Sequence, residues 1–293
     1  MALSVSNKDE IALNNFLTFD IEEWYDGEFT RNKVSDADRL ISGIEAQINI
    51  LIELCAKYYV KSTCFVTGQL AHKKPDLVRR LFDNGHEIAS HSYSHNMVSN
   101  MTRIEFEEDL NRSIEALSDA VGVSIKGFRA PSWSVNEEIL PWYYDVLSKA
   151  GVEYSSSIYP GKTSLFGIPN ANPDVHFIEQ FGILEIPQQL AKIGATKIGF
   201  AGGAFFRLFP RLAIEYLMAQ KNHKGKPVFV YIHPWELQST RYPIKLSFSE
   251  YMIMNWGISW NVSKLAYILN KFGPTFMRMG DFTRTYQATA CLD

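Results

Sequence analysis

The chain has 293 residues, 46% of them hydrophobic, and a formal net charge of −3 at pH 7. That is enough apolar material to bury a substantial core without staples, and the mixed charge, with no basic cluster interleaved with aromatics, excludes a nucleic-acid surface. Cys55, Cys64 and Cys291 lack C-x-x-C spacing, so neither a disulfide framework nor a cysteine-based zinc site is indicated.

In chain order, the first residues show no basic patch followed by an apolar run. No stretch is long enough to cross a bilayer, so the expectation is a cytoplasmic protein, at most peripheral to the inner membrane. Asn15 to Asp20 reads as a strand and Leu40 to Tyr58 as a helix with apolar residues at three- and four-residue steps. Ser62 to Val66 is a second strand. The helix from Pro75 to Asn84 opens on a proline and stops at Gly85. His86 to Ser90 is a third strand, and Thr102 with Glu105 forms a capping box for a helix to Val121. Gly127 to Pro131 is a fourth strand, followed by a helix over Glu137 to Ala150.

Val152 to Ile158 and Gly182 to Pro187 read as further strands, separated by a Pro/Gly/Asn-rich connection from Pro160 to Pro173. Pro210 to Gln220 is helical, and Pro227 to His233 is a buried strand by its near-continuous apolarity. Val262 to Phe272 gives a last helix and Thr275 to Met279 a last strand, while Trp256 and Trp260 are expected to pack in the core. Strands alternating with helices, with no repeat or linker, predict one α/β domain over residues 1–293, barrel-like or doubly wound.

The chemistry-bearing residues fall at strand ends. Asp20, His91, Arg129 and His233 each stand at or just past the carboxyl end of a predicted parallel strand, the face where barrel enzymes gather their catalytic groups. His91 and His95 are four apart, a spacing that puts two imidazoles on one face of a helical turn and lets them grip one metal ion, though by itself it suits a polar loop equally well. Two-residue alternation sends Asp20 and Glu22 to one side and Ile21 to the other, so that one carboxylate could bind a metal and the other take a proton. Arg129 could fix a nearby carboxylate by paired hydrogen bonds. His233 could hand a proton to a leaving amine, or simply cap its strand.

In sequence, Thr18-Phe-Asp20, His91-Ser-Tyr-Ser-His95, Arg129-Ala-Pro-Ser-Trp133 and His233 resemble the motifs of the polysaccharide deacetylases (the NodB-homology group, carbohydrate esterase family 4). Asp20-Ile-Glu, the string from Ala201 through Gly203 and Arg207 to Pro210, and His233-Pro-Trp-Glu236 are similar to a branch tied to exopolysaccharide biosynthesis, including exosortase-associated deacetylases. The resemblance implies an irregular TIM-like (β/α) barrel with fewer than eight strands, its core motifs within residues 16–236 and a C-terminal helix and strand at 261–279 completing it.

It further implies removal of an N-acetyl group from an amino sugar in surface polysaccharide, the substrate being an N-acetylated saccharide that is either lipid-linked or finished polymer. One divalent metal ion is implied: zinc first, with cobalt, nickel or manganese also accepted by such a site. Asp20 would be the general base, Arg129 its orienting partner and His233 the general acid. Glu22, His91 and His95 would be the metal ligands, with Glu23 the weaker candidate for the carboxylate, because Ile21 stands where relatives carry a second aspartate. Tyr93, Pro131, Trp133, Gly203, Arg207 and Trp235 would line the substrate, and a backbone N–H near Tyr93 or Ser94 would hold the oxyanion. Tyr154-Ser-Ser-Ser157 stands where many relatives read Tyr-Asp-Ser-Ser, which removes a carboxylate from the surroundings of the site. Rival readings are a metal-free hydrolase of another C–N amide bond and a carbohydrate-binding relative without catalysis.

Overall fold

Strand β1 (Asn15–Ile21) is buried along its whole length and organises the molecule. Its alternation is strict: Leu17, Phe19 and Ile21 join the layer beneath the helices, while Phe16, Thr18 and Asp20 face the opposite side of the sheet. In the computed structural model, residues 14–35, 42–163, 166–194, 196–238 and 244–290 are described. Cys291 and Leu40 lie outside them, while Cys55 and Cys64 are buried free thiols.

After β1 come α1 (Ile44–Lys57), β2 (Thr63–Val66), α2 (Gly68–Lys73), α3 (Pro75–Asp83), β3 (Glu87–Ser90) and α4 (Arg103–Val121). Next are β4 (Gly127–Phe128), α5 (Leu140–Lys149), β5 (Tyr154–Ser155), β6 (His176–Ile178) and β7 (Ile183–Glu185). A hairpin of β8 (Leu190–Ile193) and β9 (Thr196–Gly199) precedes α6 (Gly203–Leu208), α7 (Arg211–Asn222) and β10 (Phe229–Ile232). The chain continues through α8 (Phe248–Asn255), α9 (Ile258–Phe272), β11 (Phe276–Met277) and α10 (Met279–Ala290).

The main sheet runs β10-β1-β2-β3-β4-β5-β7-β6 and curls into an open half-barrel. Every pairing from β10 to β7 is parallel; β6 adds an antiparallel edge, and β11 lies parallel to the start of β1. Register fixes the site: Asp20 pairs with Phe65, Ser90 with Phe128, and Phe19 with Ile232, so the strands end together on one rim.

The helices follow their signals. Thr102 and Glu105 form the expected capping box, and Pro75 starts α3. The outer layer packs Ile48, Leu51, Leu77, Leu81, Leu117 and Leu265 against the sheet, each burial stabilising by roughly 1.5–3 kcal/mol. Inside the curl, Phe16, Phe65, Trp133, Tyr154 and Phe229 form an aromatic floor. One expectation fails here. Trp256 and Trp260 are exposed rather than packed in the core. Past the last expected strand, the chain forms α10, where the Thr283 hydroxyl donates to Met279 O.

Candidate active site

The alternation of β1 continues past its end, so Asp20 and Glu22 both reach the rim while Ile21 turns to the core. Facing them, the stretch from His91 to His95 is a tight loop and not the helical turn the spacing suggests. Ser92 and His95 sit at φ 61 and 55, and Ser92 Oγ accepts from the His95 N–H at 2.9 Å. The loop is pressed onto α2, with Gly68 N and Gln69 N each donating at 2.9 Å to Ser92 O and Tyr93 O. A Cβ on Gly68 would lie 2.5 Å from the Tyr93 ring and 2.9 Å from Ser113 Cα, so only glycine permits this approach.

The result is a cluster of three. One ligand atom each from Glu22, His91 and His95 lie within 4.8 Å of one another, and all three residues are buried. Each imidazole spends its Nδ1 on a backbone carbonyl, His91 on Arg129 O at 2.7 Å and His95 on Asp26 O at 3.0 Å. That fixes both Nδ1–H tautomers and turns both Nε2 lone pairs inward. Burial pushes His91 down to about 4, against the pull of Asp20 and Glu22, so its ring is neutral. Burial would raise Glu22, but the charge of His95, then of His233 and His91, holds it near 2. Burial works against the protonated form of His95, and Glu22 overcomes it and raises the ring.

Glu22 Oε2 crowds His95 Nε2 and finds no hydrogen bond of good geometry, so two lone pairs meet where one proton or one cation must stand. That donor set, two imidazoles and a carboxylate, fits a divalent metal of the zinc type. Glu23 is not part of it: its Oε1 accepts from Ser42 Oγ at 2.5 Å and pairs with Lys74 at 3.6 Å, pointing away.

Beside the cluster, Arg129 Nη1 donates to Asp20 Oδ1 at 2.6 Å and to Thr18 Oγ1 at 3.0 Å. The expected paired grip is a single bond here, because Nε and Nη2 go to Ser156 O and Ser156 Oγ. The guanidinium is fully buried over Phe65, 4.0 Å from its ring centroid, with Trp133 and Phe229 at 5.0 Å. Ser156 thus does for Arg129 what no carboxylate is needed for. On the neighbouring strand β7, buried Glu185 accepts from the N–H groups of Ser157 and Ile158, just past the Tyr154 string.

His233 ends β10 with Nε2 3.8 Å from Glu22 Oε1 and Nδ1 2.9 Å from Glu236 Oε2. Burial opposes its protonation, yet Glu236, then Glu22 and Asp20, raise it to about 9. Arg207 Nε donates to the other oxygen of Glu236 at 2.6 Å; burial resists, but Arg207 and His233 hold this carboxyl near 2. Trp235 stacks on His233 with 5.2 Å between ring centroids.

Several expected substrate contacts lie elsewhere. Arg207 is buried, and its remaining donors hold Ile253 O, Met254 O and Trp256 O, so it cannot line an open groove. Gly203 is a buried turn at φ +54 beneath Tyr231. The N–H groups of Tyr93 and Ser94 are committed to Asp109, at 2.7 and 3.2 Å, and are not free for an oxyanion. Tyr93 itself walls a cleft of about 600 Å³ shared with Arg31, Asn96, Asn100 and Arg112. Pro131 and Trp133 are buried at the rim, where Ser132 and Trp133 both adopt left-handed backbone at φ 52 and 53. Sequence reading missed Asp26, Asp109 and Glu185; only Asp26-Gly27, a turn signal just after the acidic string, left any trace.

Residues 42–155 match the polysaccharide deacetylase family. Residues 156–283 match a domain of unknown function (DUF3473), and the border between the two falls inside the sheet, where β5 pairs with β7. The chain is 30% identical over 134 residues to a peptidoglycan deacetylase of Helicobacter pylori, covering 46% of this chain and 43% of that protein. It is 29% identical over 92 residues to a peptidoglycan-N-acetylglucosamine deacetylase of Bacillus cereus, covering 31% and 34%. The chain thus spans less than half the length of these curated relatives, and together with the family match they support the polysaccharide deacetylase family.

In fold, the chain matches a solved Mycobacterium smegmatis protein assigned to the polysaccharide deacetylases, with TM-score 0.61 and 20% identity over 99% of this chain and 95% of that one. Puue allantoinase matches with TM-score 0.61 and 14% identity over 93% and 91%. Both show the same curled α/β architecture.

Proposed function

We propose that the chain is a metal-dependent N-deacetylase acting on an amino sugar of a surface polysaccharide, of the kind tied to exopolysaccharide biosynthesis. The observation that carries this reading is the convergence of Glu22, His91 and His95 within 4.8 Å, with Asp20 and His233 on the same rim. Glu22, His91 and His95 would hold the ion, which supplies Lewis acidity to the acetamide carbonyl and to the attacking water.

The chain's own residues do the rest. Asp20, fixed by Arg129 at 2.6 Å, takes the proton of the attacking water. His233, turned by Glu236, gives a proton to the departing nitrogen, leaving acetate and a free amine. Trp133, beside the Arg129 guanidinium, and Trp235, stacked on His233, would lie against the acetyl group and the sugar ring.

The test is acetate release from a panel of lipid-linked, nucleotide-linked and polymeric N-acetyl sugars, with and without chelator. Release that stops with chelator and returns with zinc, cobalt, nickel or manganese supports the reading. Chelator-insensitive hydrolysis of a cyclic amide would replace it with the metal-free alternative, and saccharide binding without acetate release would replace it with a binding role.

A further inference from the structure

Helix α8, Phe-Ser-Glu-Tyr-Met-Ile-Met-Asn, buries only Met254, although it carries a single charged residue. Phe248 is 81% exposed and Trp260, on the first turn of α9, is 63% exposed; Tyr251, Ile253 and Trp256 between them are exposed too. A second strip joins this one. Gly257 lies against Arg207, 3.0 Å from Arg207 O to its Cβ position, and Lys264 Nζ donates to Phe206 O, Arg207 O and Phe209 O at 2.7–2.9 Å. Leu208 and Leu212, which follow Arg207 of this seam in sequence, are exposed as well. Apolar side chains on this scale are not left in water without a use.

The charge around the patch is one-sided. Its two carboxylates are each neutralised, Glu250 by Lys33 at 2.6 Å and Glu215 by Lys271 at 3.4 Å. Lys245 and Arg211 are exposed and have no carboxylate within ion-pair distance among the described residues, Arg211 lying over the Tyr267 ring at 4.7 Å, while the half-buried Lys264 is spent on three carbonyls. A chain of net charge −3 therefore carries two exposed, unpaired cations, Lys245 and Arg211, close in sequence to Phe248 and Leu212 of its aromatic patch.

We propose that this surface docks the protein on an anionic lipid bilayer. Tryptophan, tyrosine and phenylalanine with long aliphatics, bordered by cations, is the composition that settles at the headgroup level of anionic membranes. A second copy fits less well, because a symmetric contact would bring the unpaired cations against their counterparts. Among the described residues no helix is long and apolar enough to span a bilayer.

Docking also places the site. Arg207 holds the α8–α9 corner through Ile253 O, Met254 O and Trp256 O and holds Glu236 through Nε, so one guanidinium separates the patch from the partner of His233. On the deacetylase reading, this brings the site to saccharides carried on lipid; the docking itself does not depend on that reading.

The test is co-sedimentation of the full chain with vesicles of equal parts phosphatidylglycerol and phosphatidylcholine, against phosphatidylcholine alone. Binding to the anionic vesicles only, weakened by salt and accompanied by a blue shift of tryptophan emission, is the expected result. The double variant Phe248→Ser/Trp260→Ser, checked for an unchanged thermal melt, should bind at least about tenfold more weakly. Single Phe248→Ser serves if the double variant does not fold. No binding by the native chain, or full binding by the folded variant, overturns the proposal. So does a self-association abolished by the variant in a chain that ignores vesicles, which assigns the patch to a second copy. Vesicle binding is read without turnover, so its failure and that of the deacetylase reading are separate outcomes.

Discussion

Glu236 Oε2 accepts two hydrogen bonds from one residue, the backbone N–H and the Nδ1–H of His233, both at 2.9 Å. Backbone and ring are thereby locked together, with Nε2 aimed at the rim that Glu22 occupies. Glu236→Gln puts an amide donor where the ring needs an acceptor. We expect kcat to fall about 10–100-fold with bound metal unchanged, against about 10²–10⁴-fold for His233→Ala. Steady-state kinetics beside metal analysis checks this, and an unimpaired Glu236→Gln enzyme would remove the orienting role.

The three-residue cluster makes a sharper distinction. Glu22→Ala and His91→Ala should lose zinc in equilibrium dialysis, whereas Glu23→Gln, whose side chain faces Ser42 and Lys74, should keep it. Retention by Glu22→Ala with loss by Glu23→Gln would reverse the ligand assignment.

Asp109 stands on α4 and accepts from Tyr93 N, Ser94 N and Ser94 Oγ, the last at 2.8 Å. It fastens the loop between the two imidazoles without touching either. Asp109→Ala should leave the fold intact and weaken metal binding about 10–100-fold. A titration with a zinc indicator measures it, and unchanged affinity would show that the loop holds its shape alone.

His86 is buried, its Nδ1 accepting from Ser62 N and Ser62 Oγ, and burial with the nearby Lys61 and Arg278 charges lowers it to about 4. An unfolded histidine takes up its proton near 6.5, so between these values the unfolded chain binds more protons. Stability is therefore lost as pH falls from about 6.5 to about 4, by roughly 3 kcal/mol from this residue, and no further below. Urea unfolding in chelator across that range should show a shallower decline for His86→Asn than for the native chain. Parallel declines would exonerate His86.

How much of this was legible beforehand follows from the range of each interaction. Asp20, Glu22, His91, Arg129 and His233 were legible because strand periodicity and strand ends are local properties, and parallel register carries them to one rim. Short strands were overdrawn: β4 and β5 are two residues each, since Ala130 to Ser134 leave the sheet for a turn. What stayed hidden was tertiary. Asp109 reaches the loop from 15 residues away, and Glu185 meets Ser157 across a strand pairing. Arg207 was expected to line the substrate, because the partners that bury it lie 29 and 49 positions downstream.

Ser132 and Trp133 hold consecutive left-handed conformations without being glycine, each costing on the order of 1–3 kcal/mol. The rim beside Arg129 is therefore a spring kept wound by the rest of the barrel. Anyone seeking a hardier version of this protein would find Ser132→Gly an inviting relaxation that gains melting temperature, and, on the proposed deacetylase reading, would expect to trade a stiff indole wall for it and blunt discrimination among acyl groups.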